Sequence, residues 1–413
     1  ALSRNKQITH EQTSPSPWLS PARRGDTVKR RVGMPDRLKI GVLGAGAAAR
    51  WYYLPATQHW DDRLQLTAVC DVNEARARQF ADQYGGTGYG DYEAMLRDPE
   101  VDAVAVLTPH RFHSEQVIGA LQAGKHVLVE KPMTEGFDDA LKVCELAEAN
   151  GLYVSCAPPN MLHPGQRRLM EIVSKGVIGK INLIKMSQNS MGPGSRLGAP
   201  TDFSWFYQSG AGGMSSMAGY GLVRLTGLLG GVKSLAAMAT TSIPERVMRD
   251  GPAAGKRVAV DVPDNNVIVF DIGDNTLGTM DTGYVAMSSE APMMSLFGTD
   301  GTIEVYGGDQ VLRIRLYRDD WKTDVGGWQD VDIPGLDTRW ALHPATLLSL
   351  ADAVLDGKPL LNGPRQLSHV IEFIEKVWRS AESGRRVDMT SDYTPPSWDA
   401  LPVEVRDDKF GLA

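Results

Sequence analysis

The stretch that decides the fold is Leu38-Lys-Ile-Gly-Val-Leu-Gly-Ala-Gly-Ala-Ala-Ala49. It has the pattern of a buried strand that runs into a glycine turn and a helix. Gly44, Gly46 and Ala49 fit the G-x-G-x-x-G/A pattern, in which the glycines allow a tight turn and a close approach of the backbone to a pyrophosphate. A helix that begins near Ala47 and Ala48 presents its free N–H groups to the phosphates. The segment therefore predicts a dinucleotide-binding turn.

Strand-like and helix-like segments alternate after this turn, up to Ala157-Pro158-Pro159. The alternation predicts βαβ units and a doubly wound parallel sheet, a Rossmann domain over residues 37–157. Expected strands are 64–70, 101–107, 127–129 and 152–156; expected helices are 74–84, a short one from 91, 114–123 and 138–149.

The regular alternation of strand-like and helix-like segments stops in the second part of the chain, residues 158–395. A helix at about 165–175 precedes a strand at 181–187 and a glycine- and proline-rich loop at about 191–213. Several strand-like runs follow, separated by hairpin sequences such as Gly273-Asp274-Asn275, and we expect a C-terminal α/β domain with a large open, mostly antiparallel sheet. Expected strands are 235–241, 266–272, 276–285, 294–297, 302–305 and 312–317; expected late helices are 344–356 and 364–383.

Length and composition narrow the class of protein. The chain has 413 residues and a net charge of −7, which favours two to three domains and disfavours a nucleic-acid partner. No apolar run approaches the roughly 18 residues that a membrane helix needs. The three cysteines lie in apolar stretches without a CxxC spacing, so we predict buried thiols, no metal site and a cytoplasmic location.

The two ends of the chain differ from the rest. Residues 1–36 contain Ser-Pro-Ser-Pro and the basic pairs Arg23-Arg24 and Arg30-Arg31. They are either a disordered arm or an arm that packs on a neighbouring subunit. Residues 396–413 form a C-terminal tail.

Asp71 ends the second expected strand, 27 residues after Gly44. A carboxylate there accepts hydrogen bonds from the ribose hydroxyls and repels a 2′-phosphate, which favours NAD over NADP. Two alternatives stay open: Asp71 caps a helix only, or Arg76 or Arg78 contacts a phosphate.

Further candidate site residues follow the next two strands. Thr108 and Pro109 end one strand, and we expect them at the rim of the crevice. His110 is more consistent with packing, whereas His113 is equally consistent with packing and with a cofactor contact. Glu130-Lys131-Pro132 ends the following strand, where a lysine beside a nicotinamide ring is suited to take the proton of a substrate hydroxyl.

These motifs resemble one known family. The glycine turn, Asp-Ala-Val-x-Val-x-Thr-Pro-x-x-x-His at 102–113 and Ala-Gly-Lys-His-Val-Leu-Val-Glu-Lys-Pro at 123–132 are similar to the glucose–fructose oxidoreductase / inositol dehydrogenase / rhizopine catabolism family. The resemblance implies NAD(P), sugar or cyclitol substrates, and a dimer or tetramer formed through the open sheet. It also implies that Lys131 is catalytic and that Glu130 holds the nicotinamide ribose.

The chain departs from the family's third motif, in which an Asp is followed four residues later by a His. Ser216 aligns with the Asp and Tyr220 with the His. Tyr220 is therefore a candidate catalytic and substrate-binding residue, and Ser216 is a candidate substrate contact without the charge of an Asp. Packing alone remains the alternative for both.

Other residues are candidates for contacts with substrate. Asn160 and His163 follow the Rossmann domain and are expected near the cleft. Trp205, Phe206 and Tyr207 are candidates for stacking on a sugar face, with core packing as an equally consistent alternative for Phe206.

We therefore predict an NAD-dependent oxidoreductase that moves hydride between nicotinamide and a secondary alcohol of a sugar, glycoside or cyclitol. Two other functions remain open at this point. One is an enzyme that retains NAD and cleaves a glycoside by transient oxidation. The other is a homologue that binds the nucleotide without turnover.

Overall fold

The computed structural model describes residues 37–195, 201–308, 311–318, 327–333 and 343–397. The expected N-terminal arm (1–36) and residues 398–413 of the expected tail lie outside this described part. Within the described residues, no helix is long and apolar enough to cross a bilayer.

Six parallel strands form the first sheet in the order β3-β2-β1-β4-β5-β6. This confirms the predicted doubly wound sheet. The order reverses between β1 and β4, so the carboxyl ends of these two strands border the crevice in which such sheets bind ligands. The strands are β1 (Leu38–Leu43), β2 (Leu64–Cys70), β3 (Thr87–Tyr89), β4 (Ala103–Val106), β5 (His126–Val129) and β6 (Val154–Cys156).

Helices cover both faces of this sheet and begin and end at the residues that local chemistry favours. The Asn73 side chain accepts a hydrogen bond from the Arg76 N–H at the start of α2, and Gly85 ends that helix. Gly151 ends α5 in the left-handed conformation. The helices are α1 (Leu54–His59), α2 (Glu74–Tyr84), α3 (Tyr92–Leu96), α4 (His113–Gln122) and α5 (Phe137–Asn150).

The second sheet has nine strands in the order β16-β15-β14-β13-β7-β12-β11-β8-β17. Seven of its eight pairings are antiparallel, and β7 runs parallel to β12, so the predicted large, mostly antiparallel sheet is confirmed. The strands are β7 (Ile181–Asn189), β8 (Ser234–Thr240), β11 (Asn265–Gly273), β12 (Thr276–Gly283), β13 (Met294–Gly298), β14 (Gly301–Gly307), β15 (Val311–Arg318), β16 (Gly327–Val331) and β17 (Val387–Asp388).

One face of this sheet is buried and the other is open. Along β11, Ile268 and Phe270 are buried, whereas Val267 and Val269 are about half exposed. Helices α6 (Pro164–Ser174), α7 (Gly219–Leu229) and α9 (Pro364–Ser383) cover the buried face. A separate antiparallel pair, β9 (Glu245–Val247) with β10 (Arg257–Ala259), was not expected from the sequence.

The chain returns to the first sheet near its end. Helix α8 (Ala345–Asp356) places Leu347, Leu350 and Ala351 in one hydrophobic cluster with residues of β1 and β2. Arg63, which precedes β2, forms ion pairs with Asp352 and Asp356 of this helix at 2.7 and 2.6 Å. A segment of the expected second domain therefore completes the core of the first.

Candidate active site

The glycine turn has the geometry that a bound pyrophosphate requires. Gly44 has φ of +95°, and a Cβ there would lie 2.9 Å from the Leu107 carbonyl oxygen. Only glycine fits this position, which brings the turn against the end of β4. A Cβ on Gly46 would meet no atom within 4 Å, so the backbone faces open space where the helix begins at Ala47 and Ala48.

Asp71, at the end of β2, braces this turn. Its Oδ2 accepts a hydrogen bond from the Ala45 N–H at 2.8 Å. Its Oδ1 accepts from the Asn73 N–H at 2.8 Å and from the Arg76 guanidinium at 2.7 Å. The side chain of Arg76 is 45% exposed, whereas Arg78 pairs with Glu74. Asp71 thus holds the glycine turn and an arginine at the same strand end.

His113 ties two strand ends together. Its ring is fully buried, with Nδ1 2.6 Å from the Pro132 carbonyl oxygen and Nε2 2.8 Å from the Thr108 carbonyl oxygen. Burial lowers the pKa of the imidazole, and the two carbonyls oppose this effect. Both nitrogens face the main chain, so the ring positions the loops after β4 and β5. Thr108 also donates a hydrogen bond to the Gln116 side chain, and Pro109 precedes a 3-10 turn at His110–Phe112.

Glu130 is held by two donors. The Tyr53 hydroxyl donates to Glu130 Oε1 at 2.7 Å, and His343 Nδ1 lies 2.9 Å from the same oxygen. Burial alone would raise the pKa of the Glu130 carboxyl, but His343 and then Tyr53 hold it well below its usual range. Glu130 is therefore an ionised carboxylate at the end of β5.

Lys131 meets the second domain. Its Nζ lies 5.7 Å from the ring centroid of Phe206 and 5.7 Å from that of Tyr220. The structure therefore brings together the two candidate catalytic residues, although they are far apart in the sequence. Both rings lie within the distance at which an aromatic face attracts an ammonium group.

Trp205, Phe206 and His110 form an aromatic cluster beside Lys131. The ring of Trp205 lies 3.9 Å from that of Phe206 and 4.8 Å from that of His110, between centroids. Burial lowers the pKa of His110 to about 2, so this ring is neutral. Tyr207, by contrast, is fully buried, and its hydroxyl donates to the Pro193 carbonyl at 2.6 Å. The prediction that Tyr207 stacks on a sugar is wrong, because its ring is part of the core.

Ser216 lies one turn before Tyr220 but is turned into the second domain. It is 2% exposed, and its hydroxyl lies beside that of the buried Tyr284, with neither in a regular hydrogen bond within the described residues. The second domain therefore brings no carboxylate to the position of the family's Asp.

Asn160 and His163 lie deeper than expected. Both are 2% exposed. His163 Nδ1 accepts from the Gly165 N–H at 2.9 Å and caps α6. Burial, and then the positive charges of Arg224 and Arg167, lower the pKa of His163 to about 3.

Sequence analysis missed Tyr53 and His343, which hold Glu130. Tyr53 lies in the helical turn Ala49–Tyr53 that follows the glycine motif, and His343 precedes α8. No local pattern marks either residue, since Tyr53 and His343 lie 77 and 213 residues from Glu130 along the chain.

The residues fit a dinucleotide. The open face at Gly46 admits a pyrophosphate, Asp71 lies where an adenosine ribose is expected, and Lys131 with Tyr220 lies at the far end of the same sheet edge. One family accounts for the whole arrangement. The family model described as "Oxidoreductase family, NAD-binding Rossmann fold" matches residues 38–157, and that described as "GFO/IDH/MocA C-terminal domain" matches residues 166–304. The chain belongs to the GFO/IDH/MocA family of NAD(P)-dependent oxidoreductases.

Two curated relatives and one solved structure are similar to this chain. The chain is 33% identical to D-glucoside 3-dehydrogenase of Escherichia coli (strain K12) over 35% of its own length and 41% of the relative. It is 33% identical to D-xylose 1-dehydrogenase (NADP(+)) of Hypocrea jecorina over 36% and 41% of the two chains. The chain thus matches less than half of the length of these two curated relatives. A levoglucosan dehydrogenase solved with NADH and levoglucosan has the same fold, with a TM-score of 0.73 and 18% identity over 86% of this chain and all of the other.

Proposed function

We propose that this family member is an NAD-dependent oxidoreductase acting on a secondary alcohol of a sugar, glycoside or cyclitol. The observation that carries the proposal is the position of Lys131, whose Nζ lies 5.7 Å from the ring centroids of both Phe206 and Tyr220. The names of the relatives, a glucoside dehydrogenase and a xylose dehydrogenase, support this class of substrate.

Each residue has a stated role in this reaction. The N–H groups at Gly46, Ala47 and Ala48 hold the pyrophosphate, since they open the helix beside an empty face. The chemistry that a bound NAD would supply is acceptance of the hydride from the alcohol carbon, which would become a carbonyl carbon. In its neutral amine form, Lys131 accepts the hydroxyl proton as a general base and becomes an ammonium.

The second domain completes the site. Tyr220 orients the alcohol and exchanges protons with Lys131, while Trp205 and Phe206 exclude water and stack on the apolar face of the sugar. Asn160 and Ser216 are both 2% exposed and are therefore given no contact with substrate, and His163 caps the start of α6. His113 positions the Thr108 and Pro132 carbonyls and so fixes the width of the crevice.

We propose NAD as the preferred cofactor because Asp71 keeps a carboxylate at the end of β2. Arg76 neutralises part of this charge, and a relative is named for NADP(+), so NADPH is the necessary comparison. The proposal predicts tighter binding of NADH than of NADPH in parallel fluorescence titrations. Tighter binding of NADPH would contradict it.

We also propose a homodimer or homotetramer formed through the open sheet face. Met238, Val267, Val269 and Leu277 are 79%, 55%, 52% and 58% exposed on adjacent strands. Such an apolar patch is typical of an interface. Light scattering should give a multiple of the 45.0 kDa chain mass, and Val267→Lys should reduce it. The three buried free thiols support a cytoplasmic location.

A second candidate function rests on Ser216. Because no carboxylate stands at the family's Asp position, a protein that binds NAD without turnover remains a specific alternative.

One experiment separates the two functions. Mass spectrometry of the protein as purified identifies retained nucleotide, and a panel of sugars, glycosides and cyclitols is then screened for NAD reduction by absorbance. The proposed enzyme reduces NAD with at least one alcohol, and Lys131→Met lowers that rate by about 100-fold or more while NADH still binds. Binding of NADH without turnover across the panel would favour the alternative, and unchanged turnover in Lys131→Met would exclude the mechanism.

A further inference from the structure

The carboxylate of Glu130 is contacted by hydrogen-bonding side chains from two distant parts of the chain. Oε1 receives Tyr53, from the turn after the glycine motif, and His343, from the segment that precedes α8. Among the residues that the structure describes, the donor to Oε2 is the neighbouring Lys131 N–H, at 3.2 Å. The side chain is 14% exposed. One oxygen is thus fully used within the protein, and the other is the one left to meet a ligand.

His343 is itself fixed by its surroundings. Its ring stacks on that of Tyr52, with centroids 5.2 Å apart and an interplanar angle of 18°. Its carbonyl accepts from the Thr346 hydroxyl at 2.6 Å, at the start of α8. The imidazole that contacts Glu130 is thereby held at the start of α8.

The docking of α8 is well supported. Leu347 and Leu350 are fully buried against the first sheet. The Ser155 hydroxyl, on β6, donates to the Thr346 carbonyl at 2.9 Å and accepts from Asn362 at 2.8 Å. The segment 343–362 is thus anchored at both ends of the helix.

We propose that His343 is a positioning residue that orients Glu130 and thereby sets the affinity of the crevice for NAD(H). The inference rests on the proposed function. His343 and Tyr53 occupy Oε1 and so turn Oε2 toward the bound dinucleotide. His343 touches neither substrate nor cofactor in this account and acts through Glu130.

The chemistry of the pair explains the size of the effect. A buried carboxylate needs donors, and removal of one partner leaves it to reorient or to recruit water. Burial and the Glu130 charge both raise the pKa of Tyr53, which stays protonated and remains a donor. His343 must carry its proton on Nδ1 to donate to Oε1. The amide nitrogen of an asparagine reaches nearly the same place as Nδ1, whereas leucine fills the space without a donor.

The test compares His343→Leu with His343→Asn, and uses His59→Leu as the control because His59 is an exposed histidine at the end of α1. NADH affinity is measured by fluorescence titration. We expect His343→Leu to weaken NADH binding about tenfold, equivalent to about 1.4 kcal/mol. His343→Asn should restore most of the affinity, and His59→Leu should match the parent protein. Equal affinities for the Leu and Asn variants would overturn the proposal.

A second readout needs no cofactor. In thermal unfolding, the losses of Tm in Tyr53→Phe and His343→Leu should not add in the double variant, because both residues bind the same oxygen. Additive losses would show that the shared contact is not formed and would overturn the inference. If the parent protein fails to bind NADH, the proposed function fails instead. The additivity of the Tm losses then still shows whether Tyr53 and His343 share the Glu130 oxygen.

Discussion

Replacement of Gly46 by alanine should separate folding from cofactor binding. The φ of Gly46 lies outside the left-handed region, and a Cβ there would meet no atom within 4 Å. Alanine is therefore free of strain and should raise the free energy of unfolding by about 0.4–1 kcal/mol, through the unfolded chain. In the ligated protein, the same methyl group would lie between the backbone and the pyrophosphate.

Gly46→Ala should therefore stabilise the fold but weaken cofactor binding. We expect Gly46→Ala to weaken NADH binding at least tenfold, or about 1.4 kcal/mol. Gly44→Ala should instead destabilise the protein by about 1–2 kcal/mol, because its φ of +95° suits only glycine. Urea unfolding without cofactor and fluorescence titration with NADH measure the two quantities.

Gly308→Ala is the matched control, since that glycine also meets no atom within 4 Å but lies at the end of β14. It should leave NADH affinity unchanged. If Gly46→Ala binds NADH as tightly as the parent protein, the pyrophosphate does not lie at this turn and the placement of the cofactor is refuted.

Three further predictions concern other parts of the protein. Tyr220→Phe should lower kcat about 10-fold or more with little change in NADH affinity, measured by initial rates, because the hydroxyl acts on the alcohol alone; unchanged kcat would remove its role. Folded His163 has a pKa of about 3 against a usual 6.5, so its contribution to stability is present above the usual value and declines as pH falls through this window. By about pH 5 the free energy of unfolding is about 2 kcal/mol lower than at a pH above the usual pKa. His163→Asn keeps an acceptor for the helix cap and should abolish this difference, measured by urea unfolding at about pH 5 and above the usual pKa. Leu350→Ala, on α8, should cost about 2–5 kcal/mol and cause a parallel fall in thermal stability; a loss below about 1 kcal/mol would show that α8 is not part of the core of the first domain.

Much of the fold could be predicted from local signals. Strand β4, Ala103–Val106, is apolar throughout because helices cover both faces of the sheet. The late helices end at Gly357 and Gly384, both in the left-handed conformation. Each of these signals lies within a few residues of the feature that it predicts.

Features that depend on tertiary contacts were not predictable. Helix α7 has glycines at 219, 221 and 227 and was not recognised, since its stability comes from burial against the second sheet and α9. The β9–β10 pair has three residues per strand, too few for a periodic pattern.

Sequence motifs predicted some residues of the candidate site but not the roles that depend on packing. The resemblance named Lys131 and Tyr220 as catalytic candidates, and the structure places Lys131 Nζ 5.7 Å from the centroid of the Tyr220 ring. The burial of Tyr207 and the capping role of His163 required the packed structure. The contact between His343 and Glu130 depends on the path of the returning chain, which no local pattern records.

The position of Lys131 relative to nicotinamide is the centre of this account. A crystal structure of the protein with NADH tests it most directly. We predict electron density for the pyrophosphate at Gly46 and for the nicotinamide ring beside the Lys131 ammonium and Tyr220. A dinucleotide bound elsewhere, or a nicotinamide ring separated from Lys131 by another side chain, would contradict it.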